Sequence, residues 1–415
     1  MSHEAEFSDA LNGLLPSLPA KIAVAVSGGS DSLAVMYLAA SWAELQDCVV
    51  DVVSVDHGLR PEAADEVAMV ARLASELGME HHTLRWQGWD GQGNLQDAAR
   101  QARRGLIADW AAERGIRHIL LGHTLDDQAE TVLMRLSRGS GVDGLAGMAP
   151  ASETEGLIWL RPVLRMRRQD LRDFLKGKAV TWADDPSNTD DRFDRVKARQ
   201  MAETLAPLGL TPERLAQTAD HMQSASWALR LASHDLARRV ARQDGGDVVF
   251  DLDELALAPR ELQTRLLSSA LGWVSGQGYR PRFRALVKAM EAVGHGRDST
   301  LQGCQLLPAK GELRICREAG AVRGARCPAD EIWDDRWQVE GPDLAKLEIA
   351  ALGEAGLAQC PSWRESGVPR KSLLATPALW QDDELVAAPM AGMSGKHAIH
   401  LIEGREDYTQ WVLSH

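Results

Sequence analysis

The first 200 residues of the chain are predicted to form an α/β domain with a doubly wound, mostly parallel sheet. Short apolar runs alternate there with amphipathic helical patterns, which is typical of such sheets. Polar, glycine-bearing segments follow three of the predicted strands, at 27–32, 56–60 and 122–127. Because ligands bind at the carboxyl ends of parallel strands, these three segments are the first candidates for a site.

The individual elements follow in regular order. Pro61 suits the first position of a helix, and the Gly139-Ser140-Gly141 stretch suits the end of one. The predicted order is a strand at 21–26, a helix leaving the following loop at 33–40, a strand at 49–55, a helix at 61–77, a short strand at 80–85, a helix at 95–114, a strand at 119–121 and a helix at 125–138.

The pattern changes after residue 200. Residues 201–240 and 258–294 carry helical patterns, 300–318 resembles a small hairpin, and the Gly/Arg/Pro-rich residues 320–328 are interpreted as a linker. The remaining residues bear tryptophans and short strand-like runs. We therefore predict the α/β domain at 1–205, a helical domain with a hairpin at 206–320 and a small mixed domain at 321–415.

Composition narrows the class of protein. The 415 residues are 45% hydrophobic and 25% charged, as in ordinary soluble domains. No apolar run of about 18 residues occurs, so no membrane span is predicted. The acidic N-terminus lacks a signal-peptide core, which favours the cytoplasm. The five cysteines form no CxxC pair, which argues against a zinc or iron–sulfur site.

The charge balance bears on nucleic-acid binding. A net charge of −13 argues against it for the chain as a whole. Between Arg161 and Arg199, however, 11 Lys+Arg stand against 7 Asp+Glu, an excess of 4 that leaves −17 for the rest. This local excess permits an RNA-facing patch.

The most specific segment is a glycine-serine loop between the first strand and its helix. Its residues are Ser27, Gly28, Gly29, Ser30, Asp31 and Ser32. Glycines allow a positive φ and close approach of a ligand, and the N–H groups of a helix start favour an anion. The lysine of the GxxxxGK[ST] phosphate loop is missing. Asp31 beside phosphates would need a bridging Mg²⁺. The alternative is an ordinary glycine-serine turn.

An acidic cluster follows the strand at 119–121. It comprises Gly122, His123, Thr124 and the helix-start residues through Thr131. Asp127 and Glu130 are three residues apart and share a helix face. Two such carboxylates can hold Mg²⁺, receive a substrate ammonium or accept a proton. The alternative is a plain helix start in which Thr124 caps and Asp127 completes a capping box; the two interpretations are compatible.

Three further segments are less specific. His57 and Gly58 follow the second strand, where backbone groups can bind an adenine edge and Arg60 can bind a phosphate. The alternative is a structural role, which is more common for a lone histidine.

The basic residues Arg100, Arg103 and Arg104 lie on neighbouring helix faces. They can bind phosphates, or they can form an ordinary solvent-exposed basic surface. The predicted turn Asp185–Asn188 precedes Phe193, which can stack on a base, and several arginines, which can contact phosphates. The alternative is a plain loop followed by a basic helix.

The glycine-serine loop resembles the pyrophosphate-binding loop of ATP pyrophosphatases, which cleave ATP between the α- and β-phosphates. Taken in order, the motifs SGGSDS, DHGLR, NL…ARQAR, HTLDDQAET, RGSGVDGLAGM, RPVL and DPSN…R…R are similar to those of bacterial tRNA(Ile)-lysidine synthetases, over roughly residues 20–200. The resemblance implies an adenine nucleotide α-hydrolase-like fold and an ATP-dependent ligase. Such enzymes adenylate the wobble cytidine of the isoleucine tRNA with the CAU anticodon, and the ε-amine of free L-lysine then attacks to form lysidine.

The resemblance also implies roles for residues. The loop Ser27–Ser32, His57 and His123 would bind ATP, with Asp31 as a Mg²⁺ ligand. Asp127 and Glu130 would lie near the reaction centre and orient or deprotonate lysine. The family arginines Arg103 and Arg195, with Arg199 as a companion, would contact a tRNA phosphate or the adenylate.

The sequence leaves two other classes of function as alternatives: another ATP pyrophosphatase and a non-enzymatic RNA-binding adaptor. A tRNA thiolase should show a catalytic cysteine or CxxC pair, and a small-molecule amide ligase a glutaminase module; neither pattern is present. A non-enzymatic RNA-binding adaptor would leave the loop and the acid pair unexplained. The basic-aromatic segment 279–284 is the best candidate for gripping tRNA in the later domains. A homodimer is left open.

Overall fold

The computed structural model describes residues 2–58, 62–86, 95–183 and 194–414. It divides into two compact units, Met1–Ser226 and Trp227–His415. The division into domains at 1–205, 206–320 and 321–415 stays a prediction.

A six-stranded sheet forms the centre of the first unit. Its order is β3-β2-β1-β4-β6-β5, and each neighbouring pair is parallel except β5 with β6. The predicted doubly wound, mostly parallel sheet is therefore confirmed. The strands are β1 (Lys21–Ala25), β2 (Val49–Asp56), β3 (His81–Arg85), β4 (His118–Leu120), β5 (Ala151–Thr154) and β6 (Leu157–Leu160).

Helices cover both faces of this sheet. Along β1, Ile22 and Val24 belong to one buried cluster, whereas Ala23 belongs to another with Ile107 and Ile119. Successive side chains of a strand point to opposite faces, so both faces of the sheet are buried. The helices of this part are α1 (His3–Leu14), α2 (Ser30–Ala43), α3 (Glu62–Glu76), α4 (Leu95–Glu113), α5 (Leu125–Ser137), α6 (Val142–Leu145), α7 (Arg168–Gly177), α8 (Asp194–Leu205) and α9 (Pro212–Val240), the last of which contains the boundary between the units.

One predicted helix boundary was wrong. The helix after the glycine-serine loop begins at Ser30, not at residue 33. Gly29 is its N-cap residue, with extended backbone at φ −74° and ψ 159°. Ser30, Asp31 and Ser32 therefore form the first turn of α2, and the N–H groups of this turn have no partner within the helix.

The second unit is built on antiparallel sheets. The predicted hairpin at 300–318 is confirmed: β10 pairs with β11 inside a five-stranded sheet of order β7-β8-β11-β10-β9. Other strands form a four-stranded sheet, β12-β14-β15-β16, and a pair, β13-β17. The strands are β7 (Ala241–Asp244), β8 (Asp247–Asp251), β9 (Ser299–Leu301), β10 (Cys304–Ala309), β11 (Glu312–Arg317), β12 (Arg326–Pro328), β13 (Trp337–Glu340), β14 (Glu348–Ala351), β15 (Pro377–Gln381), β16 (Glu384–Ala387) and β17 (Ala398–Leu401).

The linker interpretation of 320–328 was wrong. Val322 is buried, and β12 pairs with β14 from Arg326 to Pro328. The helical pattern at 258–294 is confirmed by two helices. The helices of this unit are α10 (Leu252–Leu257), α11 (Arg260–Ser275), α12 (Phe283–Gly294), α13 (Gly353–Ala358), α14 (Arg370–Leu373) and α15 (Tyr408–Ser414). In the described ranges, no helix is both long and apolar enough to cross a membrane.

Candidate active site

The glycine-serine loop leaves β1 and enters α2 in a braced conformation. Gly28 has a φ of +88°, which favours glycine. The Ser32 hydroxyl accepts the Ser27 N–H at 3.2 Å and donates to the Gly29 carbonyl at 3.1 Å. Ser32 therefore holds the loop closed, while the first N–H groups of α2 face outward at a helix N-terminus, where an anion is favoured.

The loop is in direct contact with the segment after β4. A Cβ atom on Gly122 would lie only 2.8 Å from the Asp31 carbonyl carbon and 2.8 Å from the Ser32 nitrogen. Only a glycine allows the two backbones to approach this closely. The loop and the acidic cluster, which the sequence predicts separately, are therefore parts of one site.

The capping interpretation of the acidic cluster is confirmed, and the functional interpretation stays a prediction. Thr124 caps α5: the Asp127 N–H donates to its Oγ1 at 3.3 Å, and the Thr124 N–H donates to Asp127 Oδ2 at 2.8 Å. The Thr124 hydroxyl also donates to this Oδ2, at 2.9 Å. The predicted capping box is confirmed, and it uses one carboxylate oxygen. Asp127 Oδ1 points away from the cap.

The side chain that joins the site, Arg168, was not among the predicted site residues. Its Nε lies 2.8 Å from Asp31 Oδ2, its Nη2 3.0 Å from Asp127 Oδ1 and its Nη1 3.4 Å from Glu130 Oε1. Its own backbone N–H donates to Asp126 Oδ2 at 2.8 Å. One guanidinium, with a side chain 16% exposed, thus connects the glycine-serine loop to α5.

Two predicted arginines meet at Glu130. The carboxylate is 2% exposed, with Arg199 Nε 2.9 Å from Oε1 and Arg195 Nε 3.4 Å from Oε2. With Arg168, three guanidinium groups surround it. Glu130 therefore organises arginines on α7 and α8, which limits its availability to a substrate ammonium.

The pKa values of the two aspartates are shifted in opposite directions. Burial raises the pKa of Asp31, although Arg168 opposes this. Burial also acts to raise the pKa of Asp127, but Arg168, Arg195 and the hydrogen bond from Thr124 outweigh it and lower the pKa. Asp127 is thus held as a carboxylate, which suits it to bind a cation and makes it a weak general base.

The two predicted histidines are neutral at physiological pH. Burial lowers the pKa of His123 to about 4; Asp127 opposes this shift, and Arg161 and Arg195 add to it. Burial, with Arg103, also lowers the pKa of His57, whose ring packs edge-on against Trp86 at 5.8 Å. Among the described residues, Nδ1 of each histidine is buried without a hydrogen-bond partner. Both nitrogens suit a neutral hydrogen bond to a ligand.

Arg103 lies on α4 with its side chain exposed, and its charge acts on both histidines. The neighbouring Arg161 is buried, which lowers its pKa to about 10, and Arg100 and Arg104 add to the shift. The structure therefore brings positive charge from α4 and from the segment after β6 to the same region. The predictions on Arg60, Asn94, Asp185–Asn188, Arg192 and Phe193 lie outside the described residues.

Comparison with known proteins gives a consistent family. A family model described as a PP-loop domain matches residues 3–205. A tRNA(Ile)-lysidine synthase from Ruegeria pomeroyi is 46% identical over 397 residues, which are 96% of this chain and 95% of that protein. A protein of the same name from Wolbachia pipientis wMel is 32% identical over 91% of this chain and 90% of its own length. Another, from Wolbachia sp. subsp. Brugia malayi, is 34% identical, with coverages of 85% and 84%.

The likeness extends through both units, well beyond the part that the PP-loop model matches. It agrees with the motif order, and the structure brings the loop and the acid helix of those motifs into one site. The chain belongs to the tRNA(Ile)-lysidine synthase family, and its N-terminal part is the family's ATP-utilising PP-loop domain.

Proposed function

We propose that the protein is a cytoplasmic ligase that uses ATP and free L-lysine to convert the wobble cytidine of isoleucine tRNA with the CAU anticodon into lysidine. The observation that carries this proposal is the shared ion network. Asp31 of the nucleotide loop and Asp127 of the acid helix contact the same guanidinium, so a nucleotide and an amine would be held next to each other. Family membership supplies the tRNA substrate class.

In the first step, the cytosine O2 attacks the α-phosphate of ATP, and pyrophosphate leaves. The chain contributes the N–H groups at the start of α2, which favour phosphate oxygens. A bound Mg²⁺ would neutralise charge on the departing pyrophosphate. Asp31 fits such an ion, because Mg²⁺ in nucleotide sites is commonly held by one or two carboxylates together with the phosphates.

In the second step, the ε-amine of lysine attacks C2 of the adenylated cytosine, and AMP leaves with the oxygen. The amine arrives as an ammonium of pKa near 10.4 and must lose a proton before attack. Asp127, held as a carboxylate, would bind and orient the ammonium through Oδ1, which accepts one N–H from Arg168 Nη2 at 3.0 Å and has a second lone pair for the amine. Its lowered pKa favours this orienting role over proton acceptance, so the ammonium proton is released to solvent water.

The arginines and histidines complete the proposed site. Arg103 and Arg195 would contact the tRNA phosphate or the adenylate. Arg199 would hold the carboxylate of Glu130 in place through its ion pair. His57 and His123, neutral and with buried Nδ1 atoms, would donate or accept hydrogen bonds at the nucleotide. The family resemblance implies these roles, and the position and charge of the residues support them.

A sulfur-transferring ligase is less consistent with the cysteines. Cys48 is buried, and burial together with Asp47 raises its thiol pKa. A reactive thiol needs the opposite shift, toward the thiolate. Burial likewise raises the pKa of Cys304 to about 12.

The test is incubation of the protein with isoleucine tRNA transcript, ATP and lysine, followed by mass spectrometry of the digested nucleosides. We expect lysidine to form, with one AMP released per modified tRNA. No lysidine should form when lysine is left out. Asp127→Asn should lower the rate at least ~100-fold, because it removes the charge that orients the amine. The control is Asp173→Asn, an exposed acid on α7 that pairs with Lys176. A wild-type protein that forms no lysidine on this tRNA would refute the proposal.

A further inference from the structure

Arg168 is the first residue of α7, and the start of this helix is fixed against the start of α5. The Arg168 N–H donates to Asp126 Oδ2, and the Leu125 N–H donates to the Met166 carbonyl at 2.9 Å. The main chain at Arg168 is therefore tied to the same helix that carries Asp127. Its side chain has little freedom to leave the site.

The guanidinium contacts a different carboxylate with each of its three nitrogens. Asp31, Asp127 and Glu130 come from two separate elements, α2 and α5. A planar guanidinium offers five N–H donors in a fixed fork, whereas a lysine ammonium is a single point on a flexible stem. An arginine can thus set the angles and spacing of the three acids, and a lysine can only balance their charge.

The three acids need such a partner, because each lies within 3.4 Å of the same guanidinium and their negative charges are therefore close together. Among the described residues, Arg195 and Arg199 form ion pairs with Glu130, whereas Arg168 forms ion pairs with both Asp31 and Asp127. One turn further along α7, Arg172 Nε donates to Ser30 Oγ at 3.3 Å. Helix α7 is therefore a third wall of the site, in contact with the nucleotide loop at two positions.

We propose that Arg168 is a positioning residue for both steps of the reaction. Its guanidinium fixes Asp31, on the nucleotide side, relative to Asp127, on the amine side, so that activation and attack occur on one rigid frame. This inference rests on the proposed function and deepens it. It assigns to α7 a role that none of the sequence motifs identifies.

The first experiment separates binding from turnover in Arg168→Gln. We expect kcat for lysidine formation to fall about 100-fold, the size of effect known for small misplacements of reacting groups. The KM values for ATP and lysine should stay within threefold, since the acids that bind them remain. The control is Arg117→Gln, which breaks an ion pair to Glu153 at 2.9 Å between side chains that are 64% and 60% exposed. Wild-type kcat in Arg168→Gln, or a loss expressed in KM alone, would overturn the proposal.

The second experiment uses charge to distinguish positioning from a purely electrostatic role. Arg168→Lys keeps the charge and loses the fork of N–H donors, so the KM values for ATP and lysine should stay within threefold while kcat still falls about tenfold. A Lys variant with full wild-type kcat would show that charge alone suffices and would refute positioning.

A third measurement covers a variant that folds poorly. Added guanidinium ion should restore part of the activity of Arg168→Ala, because a free guanidinium can occupy the same space. Should the Gln and Ala variants unfold, Arg168→Lys decides the matter: a tenfold loss in kcat at wild-type melting temperature supports the proposal. The proposed function is tested separately. If wild-type protein forms no lysidine, tRNA-dependent ATP–pyrophosphate exchange still compares activation in wild type and Arg168→Lys.

Discussion

Replacing Gly122 by alanine tests whether the nucleotide loop and the acid segment form one site. The new Cβ would lie 2.8 Å from the Asp31 carbonyl carbon and from the Ser32 nitrogen. Both are main-chain atoms, so no side-chain rotation can relieve the clash. Restoring an ordinary 3.4 Å contact requires the start of α2 to retreat by about 0.6 Å, the difference between the two distances.

The size of the effect follows from this retreat. Overpacking of this kind lowers the free energy of unfolding by about 1–3 kcal/mol. For a unit of this size, that lowers the melting temperature by about 2–12 °C. Since a displacement of about 1 Å can cost ~100-fold in rate, a shift of about 0.6 Å should cost between ten- and a hundredfold in kcat/KM for ATP.

The assay compares Gly122→Ala with Gly13→Ala. A Cβ on Gly13, an exposed glycine in α1, meets no atom within 4 Å. This control should keep wild-type kinetics and gain a few tenths of a kcal/mol or more, because alanine favours helix over glycine. Melting curves and initial rates at varied ATP decide the outcome. If Gly122→Ala matched Gly13→Ala in both, the close approach of the two segments would be wrong.

Three other substitutions test single contacts. Thr124→Ala removes the cap of α5 and should lower the free energy of unfolding, measured with denaturant, by about 1 kcal/mol. Thr124→Ser keeps the hydroxyl and should lose much less stability. His123 has a pKa of about 4 in the folded state against 6.5 as an ordinary value, so the unfolded state binds the extra proton. Stability should therefore fall by about 2 kcal/mol between pH 7 and pH 5, and His123→Gln should flatten this dependence. Glu130→Gln should lower the free energy of unfolding by about 2 kcal/mol. This is less than for a fully buried ion pair, because Arg195 and Arg199 are 43% and 36% exposed. An equal loss in the exposed control Glu153→Gln would contradict this prediction.

The sequence predicts the elements well where local patterns decide them. Strand β2 and helix α5 lie within one residue of their predicted bounds, since each has a continuous apolar run or a clear cap. The sequence predicts a start of α2 that is three residues too late, because Ser30–Ser32 are polar and are typical of a loop. Such residues also favour the first turn of a helix, and the chain makes that choice through the backbone of Gly29.

Pairing between distant segments is harder to predict. Residues 320–328 have the composition of a linker, yet Val322 is buried and β12 joins a sheet through β14. Gly, Arg and Pro mark turns, but they do not show whether the chain between the turns finds a partner strand. The paired residues of the two strands lie 20 to 24 positions apart in the sequence, and tertiary packing selects this pairing.

Arg168 shows the same limit at the site. Its partner Asp31 is 137 residues away, and nothing local distinguishes Arg168 from its neighbours. Arg165, three residues earlier, is 80% exposed and pairs with Asp220, whereas Arg168 is 16% exposed and contacts three acids. A basic run in a sequence shows that arginines are present. The start of α7, fixed by Asp126, selects which of them enters the site.

Asp127 shows how a structural role and a functional role can reinforce one another. The Thr124 N–H and hydroxyl fix Oδ2 of the carboxylate, and because the group is planar, the direction of Oδ1 is fixed as well. Arg168 then meets Oδ1 at 3.0 Å without having to order a free side chain. The cap thus provides in advance the orientation that a reacting site requires, which lowers the entropy cost of aligning an amine there. Loss of the cap in Thr124→Ala should therefore reduce kcat as well as stability, even though Thr124 itself has no proposed contact with substrate.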